Sequence, residues 1–276
     1  MQGQHILITG AAGGIGFVIA RLFLEQGANV SLHYHRTFDT LTPLLNQYAD
    51  RCFTVSVNST DEQAVQQGIE QSCNRFGLIN INFIFNVIYN FVCFCHAIYV
   101  EEETPIWEMS LEQWKNTMDV NLTSYFLYAR EWCRQLKRLT STIDTNNLNA
   151  NLIFIGSTAG KFGEANHIDY ATCKGALQSG FIKSLKNEII HIIPQARCNI
   201  VAPGWTRTPM AESSIEQGRH LKALRTMPLR KVATTEDVAQ ACLFFASNKT
   251  AGHLTGNVLM VHGGMEGRVL WPENSE

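Results

Sequence analysis

The 276-residue chain has no excess of charge of either sign. Its 22 basic and 24 acidic residues leave a formal net charge of −2, so nothing in the composition asks for a nucleic-acid or anionic-membrane partner. The opening residues, MQGQHILITG, contain no basic segment followed by a long apolar run and a cleavage site. They are expected to form a first strand, not a signal peptide. There is no metal-type or redox cysteine spacing. The 8 cysteines are scattered, and only Cys93 and Cys95 lie close together. A C-x-C pair alone is a poor zinc or redox signal, so the expectation is a reduced, cytoplasmic protein with no metal. No polar linker divides the chain, and 45% apolar residues support a large core. Residues 1–276 are therefore expected to form one domain.

One stretch lacks charge altogether. Residues 76–100 contain no Asp, Glu, Lys or Arg, and their length is enough to span a bilayer. Asn80, Asn82, Asn86, Asn90 and His96 interrupt the run, and each would be costly in lipid. A buried strand with an unusual apolar connection is the preferred reading, and no membrane attachment is expected. β-forming residues are densest at 79–88, which is taken as the strand.

What the chain does contain is an alternation of strands and helices from end to end. Apolar runs at 5–8, 29–33, 52–57, 152–155 and 197–201 read as strands. Amphipathic patterns at 17–26, 41–48, 61–75 and 111–136, and near 170–189, read as helices. Ser59 or Thr60 is a candidate cap for the helix at 61, and Ser110 with Gln113 has capping-box spacing. Such alternation predicts an α/β fold: a single-domain, doubly wound parallel sheet of Rossmann type with helices on both faces.

Two clusters carry chemistry. After the first strand comes Thr9-Gly10-Ala11-Ala12-Gly13-Gly14-Ile15-Gly16 and then a helical pattern. Glycines let the backbone approach a pyrophosphate, and the helix N-terminus supplies free N–H groups and a favourable dipole. Further on, Ser157 stands at the end of the strand at 152–155. Tyr170 and Lys174 are one helical turn apart and share a face. A hydroxyl pair beside a lysine suits proton transfer to a carbonyl, with the ammonium expected to lower the tyrosine pKa. At the end of the second strand stand Tyr34, His35 and Arg36, where an NAD-preferring site would put an acid on the adenosine ribose. Arg36 there favours a 2′-phosphate, hence NADP(H) over NAD(H), with a merely solvent-facing arginine as the alternative.

These pieces, TGAAGGIG, VNL at 120–122, Ser157, YATCK at 170–174 and PGWTRT at 203–208, occur in one order. Together they resemble the short-chain dehydrogenase/reductases over residues 4–265. The resemblance implies hydride transfer between NADP(H) and a small ketone or alcohol, as in a carbonyl reductase or alcohol dehydrogenase. It implies Tyr170 as proton donor, Ser157 orienting the same oxygen, Lys174 binding the nicotinamide ribose, and Asn121 positioning a water. It places the cofactor on Gly10, Gly14, Ile15 and Gly16, on Tyr34, His35 and Arg36, and on Asn86, Tyr170, Lys174, Pro203, Gly204, Thr206 and Thr208. It makes 205–230 a substrate lid and 265–276 a tail in contact with another subunit of a homodimer or homotetramer.

Three departures stand against it. The family's Asn-Asn-Ala-Gly after strand four is absent; counting forward lands near Asn86, and counting back lands near Cys95-His96-Ala97. Ser56 occupies the position of an aspartate that holds adenine, and His262 precedes the closing glycines. A non-catalytic or regulatory nucleotide-binding protein is therefore the rival class, weighed against the retained Asn121, Ser157, Tyr170 and Lys174. The string LHYHRT at 32–37 resembles pteridine reductases. Those enzymes have Asp where this chain has Ser157, which favours an ordinary carbonyl over a pterin.

Overall fold

The computed structural model describes residues 1–76, 89–140, 148 and 150–271. In chain order the first half comprises β1 (His5–Thr9), α1 (Gly14–Glu25), β2 (Asn29–Tyr34), α2 (Thr42–Gln47), β3 (Cys52–Ser56), α3 (Glu62–Phe76) and β4 (Tyr89–Phe94). Next come α4 (Leu111–Met118), α5 (Ser124–Leu139), β5 (Asn151–Ile155), α6 (Ala159–Phe162), α7 (Ile168–Ala176) and α8 (Ile182–Ile189). The chain continues through β6 (Arg197–Pro203), α9 (Glu212–Glu216), α10 (Leu221–Leu224), α11 (Thr235–Ala246), α12 (Asn248–Ala251) and β7 (Val258–Val261).

The strands form one 7-stranded parallel sheet in the order β3-β2-β1-β4-β5-β6-β7. Both faces are covered, which is why the strands read as unbroken apolar runs. Leu7, Phe94, Leu152 and Phe154 face one side, packed with Tyr125, Tyr128 and Trp132 of α5 and with Ile182 and Ile189 of α8. Ile6, Ile8, Cys93 and Ile153 face the other, packed with Ile19 and Phe23 of α1 and with Val238, Cys242 and Phe245 of α11. Strand order reverses beside β1, and ligands of open α/β sheets lie in the crevice at the carboxyl ends of the strands there.

Strand four differs from the expectation. The element between β1 and β5 is Tyr89–Phe94, in register with Thr9 through Phe94 and with Phe154 through the same residue. The strand expected at 79–88 and the forward count to Asn86 fall outside the described residues; the strand that pairs with β1 and β5 is Tyr89–Phe94. Cys95-His96-Ala97 comes directly after the strand, in agreement with the backward count. Tertiary pairing decides this, because an apolar run does not mark its own register. The first cap also differs. Asp61, not Ser59 or Thr60, caps α3, its Oδ1 accepting from the N–H groups of Gln63 and Ala64 at 2.8 and 3.1 Å. Ser110 caps α4 as expected, accepting from the Gln113 N–H at 3.1 Å.

Two helical runs on the sheet's active face carry one wide turn each. A π-helical turn at Asp119–Thr123 joins α4 to α5, and another at Leu177–Phe181 joins α7 to α8. Such inserts recur at functional sites because they re-aim a side chain without ending the helix. The first aims Asn121 and the second Gln178. In the tail, Trp271 donates its indole N–H to the Met227 carbonyl at 2.9 Å and lies under Arg230. The described end of the tail thus packs on the segment expected to form the lid of its own chain. Among the described residues no helix is long and apolar enough to cross a membrane.

Candidate active site

The glycine turn meets the end of β4 at backbone distance. Gly10 has φ +61, and a Cβ there would lie 2.7 Å from the His96 Cα. A Cβ on Gly16 would lie 2.3 Å from the Gly10 carbonyl oxygen. On Gly14 it would meet Pro209 at 2.9 Å and Thr208 at 3.2 Å. The three glycines are therefore required by space, and Gly14 faces the loop after β6. Free N–H groups of the α1 N-terminus line the gap between these two loops, which suits a dinucleotide's phosphates. Gly16→Ala is expected to cost roughly 1–3 kcal/mol from overpacking and to weaken nucleotide binding; a urea midpoint equal to wild type would contradict this.

The sequence alone did not reveal what His96 does after β4. Its Nδ1 lies 2.6 Å from Thr9 Oγ1 and its Nε2 2.6 Å from Ser124 Oγ. Ser124 spends its proton on the Val120 carbonyl, so Nε2 donates to Ser124 and Nδ1 accepts from Thr9. A neutral imidazole offers one donor and one acceptor, as a side-chain amide does. Burial holds His96 in that form: its pKa falls from 6.5 to about 3, with Lys174 and His33 adding repulsion. Asn121 clasps the next turn of chain. Its amide accepts from the Ile98 N–H and donates to the Ile98 carbonyl, both at 2.8 Å.

Ser157 follows β5 after Gly156. Its N–H donates to Gln178 Oε1 at 2.8 Å, and its Oγ accepts from the Ala159 N–H at 3.1 Å. The hydroxyl also interacts with the Tyr170 phenol, which opposes the rise in its pKa. Tyr170 is set by Asp169, a residue the sequence did not single out. Buried Asp169 accepts from the Tyr170 N–H at 2.8 Å and from the Thr117 hydroxyl at 2.7 Å, tying the start of α7 to α4. Lys174, one turn on, is buried. Its Nζ donates to the Ile155 carbonyl at 2.9 Å and stands 5.6 Å from the centre of the Tyr170 ring.

The electrostatics correct one expectation. Lys174 does not depress the Tyr170 pKa in this geometry. Burial pushes the phenol up to about 12, against the Ser157 bond, and the Glu164 carboxylate adds to the rise. Burial likewise lowers Lys174 to about 8. The ammonium is too far from the phenol, and too committed to Ile155, to offset desolvation.

Ser157 and Tyr170 open onto a cleft of about 170 Å³. Pro203, Gly204, Thr206 and Thr208 form one wall, Tyr99 and Glu164 another, and Ile15 of α1 also lines it. The Thr206 hydroxyl donates to the Gly204 carbonyl, and the Thr208 hydroxyl accepts from the Ala211 N–H. Those two expected cofactor contacts are thus also turn-forming residues. At the end of β2, Tyr34 is half-buried against Phe38 while His35 and Arg36 are exposed. The hydroxyl of Ser56 ties β3 to the His35 carbonyl at 3.1 Å. Residues 205–230, containing α9 and α10, overhang the cleft through Trp205, Met210, Ala211 and Ser214.

Comparisons with known proteins give the family. Residues 10–266 match the family model described as enoyl-(acyl carrier protein) reductase. The chain belongs to the short-chain dehydrogenase/reductases. Glucose 1-dehydrogenase 2 of Bacillus subtilis (strain 168) is 25% identical over 100% of this chain and 98% of its own. The 3-oxoacyl-(acyl-carrier-protein) reductase of Chlamydia muridarum is 28% identical, over 94% and 96%. Among solved structures, a short-chain dehydrogenase/reductase from Brucella melitensis superposes with a TM-score of 0.80, covering 97% of this chain and 98% of its own at 24% identity. This short-chain dehydrogenase/reductase is an oxidoreductase of the CH–OH/C=O class that works with NAD(P).

Proposed function

We propose that the chain is an NADPH-dependent carbonyl reductase. The observation that carries the reading is the convergence of Ser157 and Tyr170 on one small cleft, with Lys174 buried behind the phenol. A nicotinamide held in this cleft would supply the hydride. Tyr170, protonated throughout the neutral range with its pKa pushed up to about 12, donates its proton to the oxygen that becomes an alcohol. Ser157 hydrogen-bonds that same oxygen and fixes its position, a role that its own N–H bond to Gln178 supports. Lys174 holds a buried positive charge behind the phenol and would bind the ribose of a nicotinamide cofactor. Asn121 keeps the chain after β4 in place and so sets the wall of the nucleotide cleft.

The preference for NADPH rests on Arg36. It is the exposed cation at the end of β2, and no acidic residue stands at 34–36 to accept from a ribose 2′-hydroxyl. Arg36→Ala is expected to raise the Kd for NADPH by roughly 10-fold or more and to leave the Kd for NADH within about 2-fold. Equal losses for the two nucleotides would reject the 2′-phosphate assignment. A panel of ketones assayed with NADPH tests the wider reading: absence of hydride transfer to any of them would sink it.

A further inference from the structure

Resting on that reading, we propose that Glu164 is a specificity-determining residue: its carboxylate accepts a hydrogen bond from a hydroxyl that the substrate carries near its reacting carbonyl. The cleft is then a site for neutral hydroxyketones, and it disfavours ketones that bear a carboxylate.

Glu164 lines the same cleft as Ser157 and Tyr170. The chain brings it there by a sharp turn. Helix α6 ends, Gly163 takes φ +76, and Glu164 comes next. The carboxylate is partly buried, which raises its pKa, and one oxygen accepts from the Tyr99 hydroxyl at 2.9 Å. Among the described residues no lysine or arginine pairs with it; the His167 imidazole lies 4.0 Å away. An ionised carboxylate has roughly four lone-pair sites, so Tyr99 leaves most of the accepting capacity of this cleft-lining residue unused. A partly desolvated acceptor with spare lone pairs favours a donor and repels an anion.

The position of the carboxylate is fixed relative to the phenol. Tyr99 stacks on His167 with ring centres 4.5 Å apart and an angle of 18°, and it meets the Tyr170 ring edge-on at 5.2 Å. Asn166, at φ 66, donates from its amide to Glu103, and its backbone carbonyl accepts from the Thr104 N–H. The loop carrying Glu164 is thus tied on one side to the chain after β4 and on the other to α7. A substrate hydroxyl bound to Glu164 would place the carbonyl at a set offset from Tyr170. Sites built to bond a substrate hydroxyl discriminate against analogues lacking it far better than apolar pockets do.

The test compares cyclohexanone, 2- and 4-hydroxycyclohexanone and 4-oxocyclohexanecarboxylate, with NADPH, for the wild type, Glu164→Ala and Glu164→Gln. The wild type is expected to favour at least one hydroxyketone over cyclohexanone by about 10-fold or more in kcat/KM, with the anion poorest. In Glu164→Ala that ratio should fall to about 1–2. The anion should gain on cyclohexanone by several-fold in both variants, since both lose the charge. Glu164→Gln keeps an acceptor oxygen and should retain part of the hydroxyketone preference. Ratios that stay at wild-type values in Glu164→Ala overturn the proposal, as does a wild type without a hydroxyl preference. Calorimetric binding of the same ketones to the nucleotide-loaded protein reads the subsite without turnover. Hydroxyketone binding that depends on Glu164 in a protein that transfers no hydride would uphold the subsite and reject the reductase reading. Binding that ignores Glu164 would overturn the subsite whatever the turnover.

Discussion

Tyr170→Phe is expected to reduce ketone turnover by at least ~100-fold, the usual size of a general-acid contribution, with the protein still folded and still able to bind NADPH. The substitution removes one oxygen and leaves the ring. The ring's edge-on contact with Tyr99 survives, and so do the Asp169 bonds to the Tyr170 N–H and to Thr117. What is lost is the proton donor and the partner of the Ser157 hydroxyl. The effect should fall on kcat, because the donor acts on charge that develops only in the transition state. A variant that keeps a tenth or more of wild-type kcat would remove Tyr170 from the mechanism. A variant that loses NADPH binding to the same degree as turnover would instead make its role structural.

The second large effect is on stability in acid. Three buried histidines, His5, His33 and His96, each have a pKa lowered from 6.5 to about 3, in each case chiefly by burial. Each is built into the sheet's polar joints as a neutral ring. His5 bonds Ser31, His33 bonds Ser72 and Tyr128, and His96 bonds Thr9 and Ser124. The unfolded chain binds protons at these sites below pH 6.5, whereas the folded chain does so only near pH 3. Their contribution is therefore complete above pH 6.5 and is lost as pH falls towards 3. Each group costs up to about 1.4 kcal/mol per pH unit in that window. Repulsion from His33 also lowers His5 and His96, so the first proton makes the next harder to accept in the fold. Glu164, whose pKa is raised, works in the opposite sense, while His262 and Asp237, both lowered, act in the same sense as the three rings. Set against the usual 5–15 kcal/mol of a domain, this predicts a steep loss of urea resistance between pH 6.5 and 4. A urea midpoint that is flat across that range would show that these rings are not held neutral.

Much of the fold was legible because it rests on patterns local to each element. Alternating strands and helices gave the doubly wound sheet, and the strand–glycine–helix string at 5–25 gave its first crossover. Strand four was not legible in the same way. Residues 76–100 offer β-forming side chains throughout, with neither charges nor glycines inside 78–100 to punctuate them. Only pairing with Thr9 and Phe154 selects Tyr89–Phe94. The site divides likewise. Ser157, Tyr170 and Lys174 were readable because their spacing on one strand end and one helical turn is itself the signal. Asp169, Gln178, Tyr99 and Glu164 carry no such spacing. They come together from separate segments, and burial alone turns them from ordinary polar residues into supports and walls.

Fold class, the glycine turn and the Ser157–Tyr170–Lys174 chemistry are written in the chain itself, since periodicity and short spacing are local properties. Tertiary structure decided what each group experiences. It set β4 six residues wide at Tyr89–Phe94 and put a neutral His96 against Thr9 and the glycine turn. It also raised the Tyr170 pKa where the adjacent lysine suggested a fall. The reason is common to all three: register, burial and desolvation are fixed by distant segments closing around a residue, and no local pattern records which segments those will be.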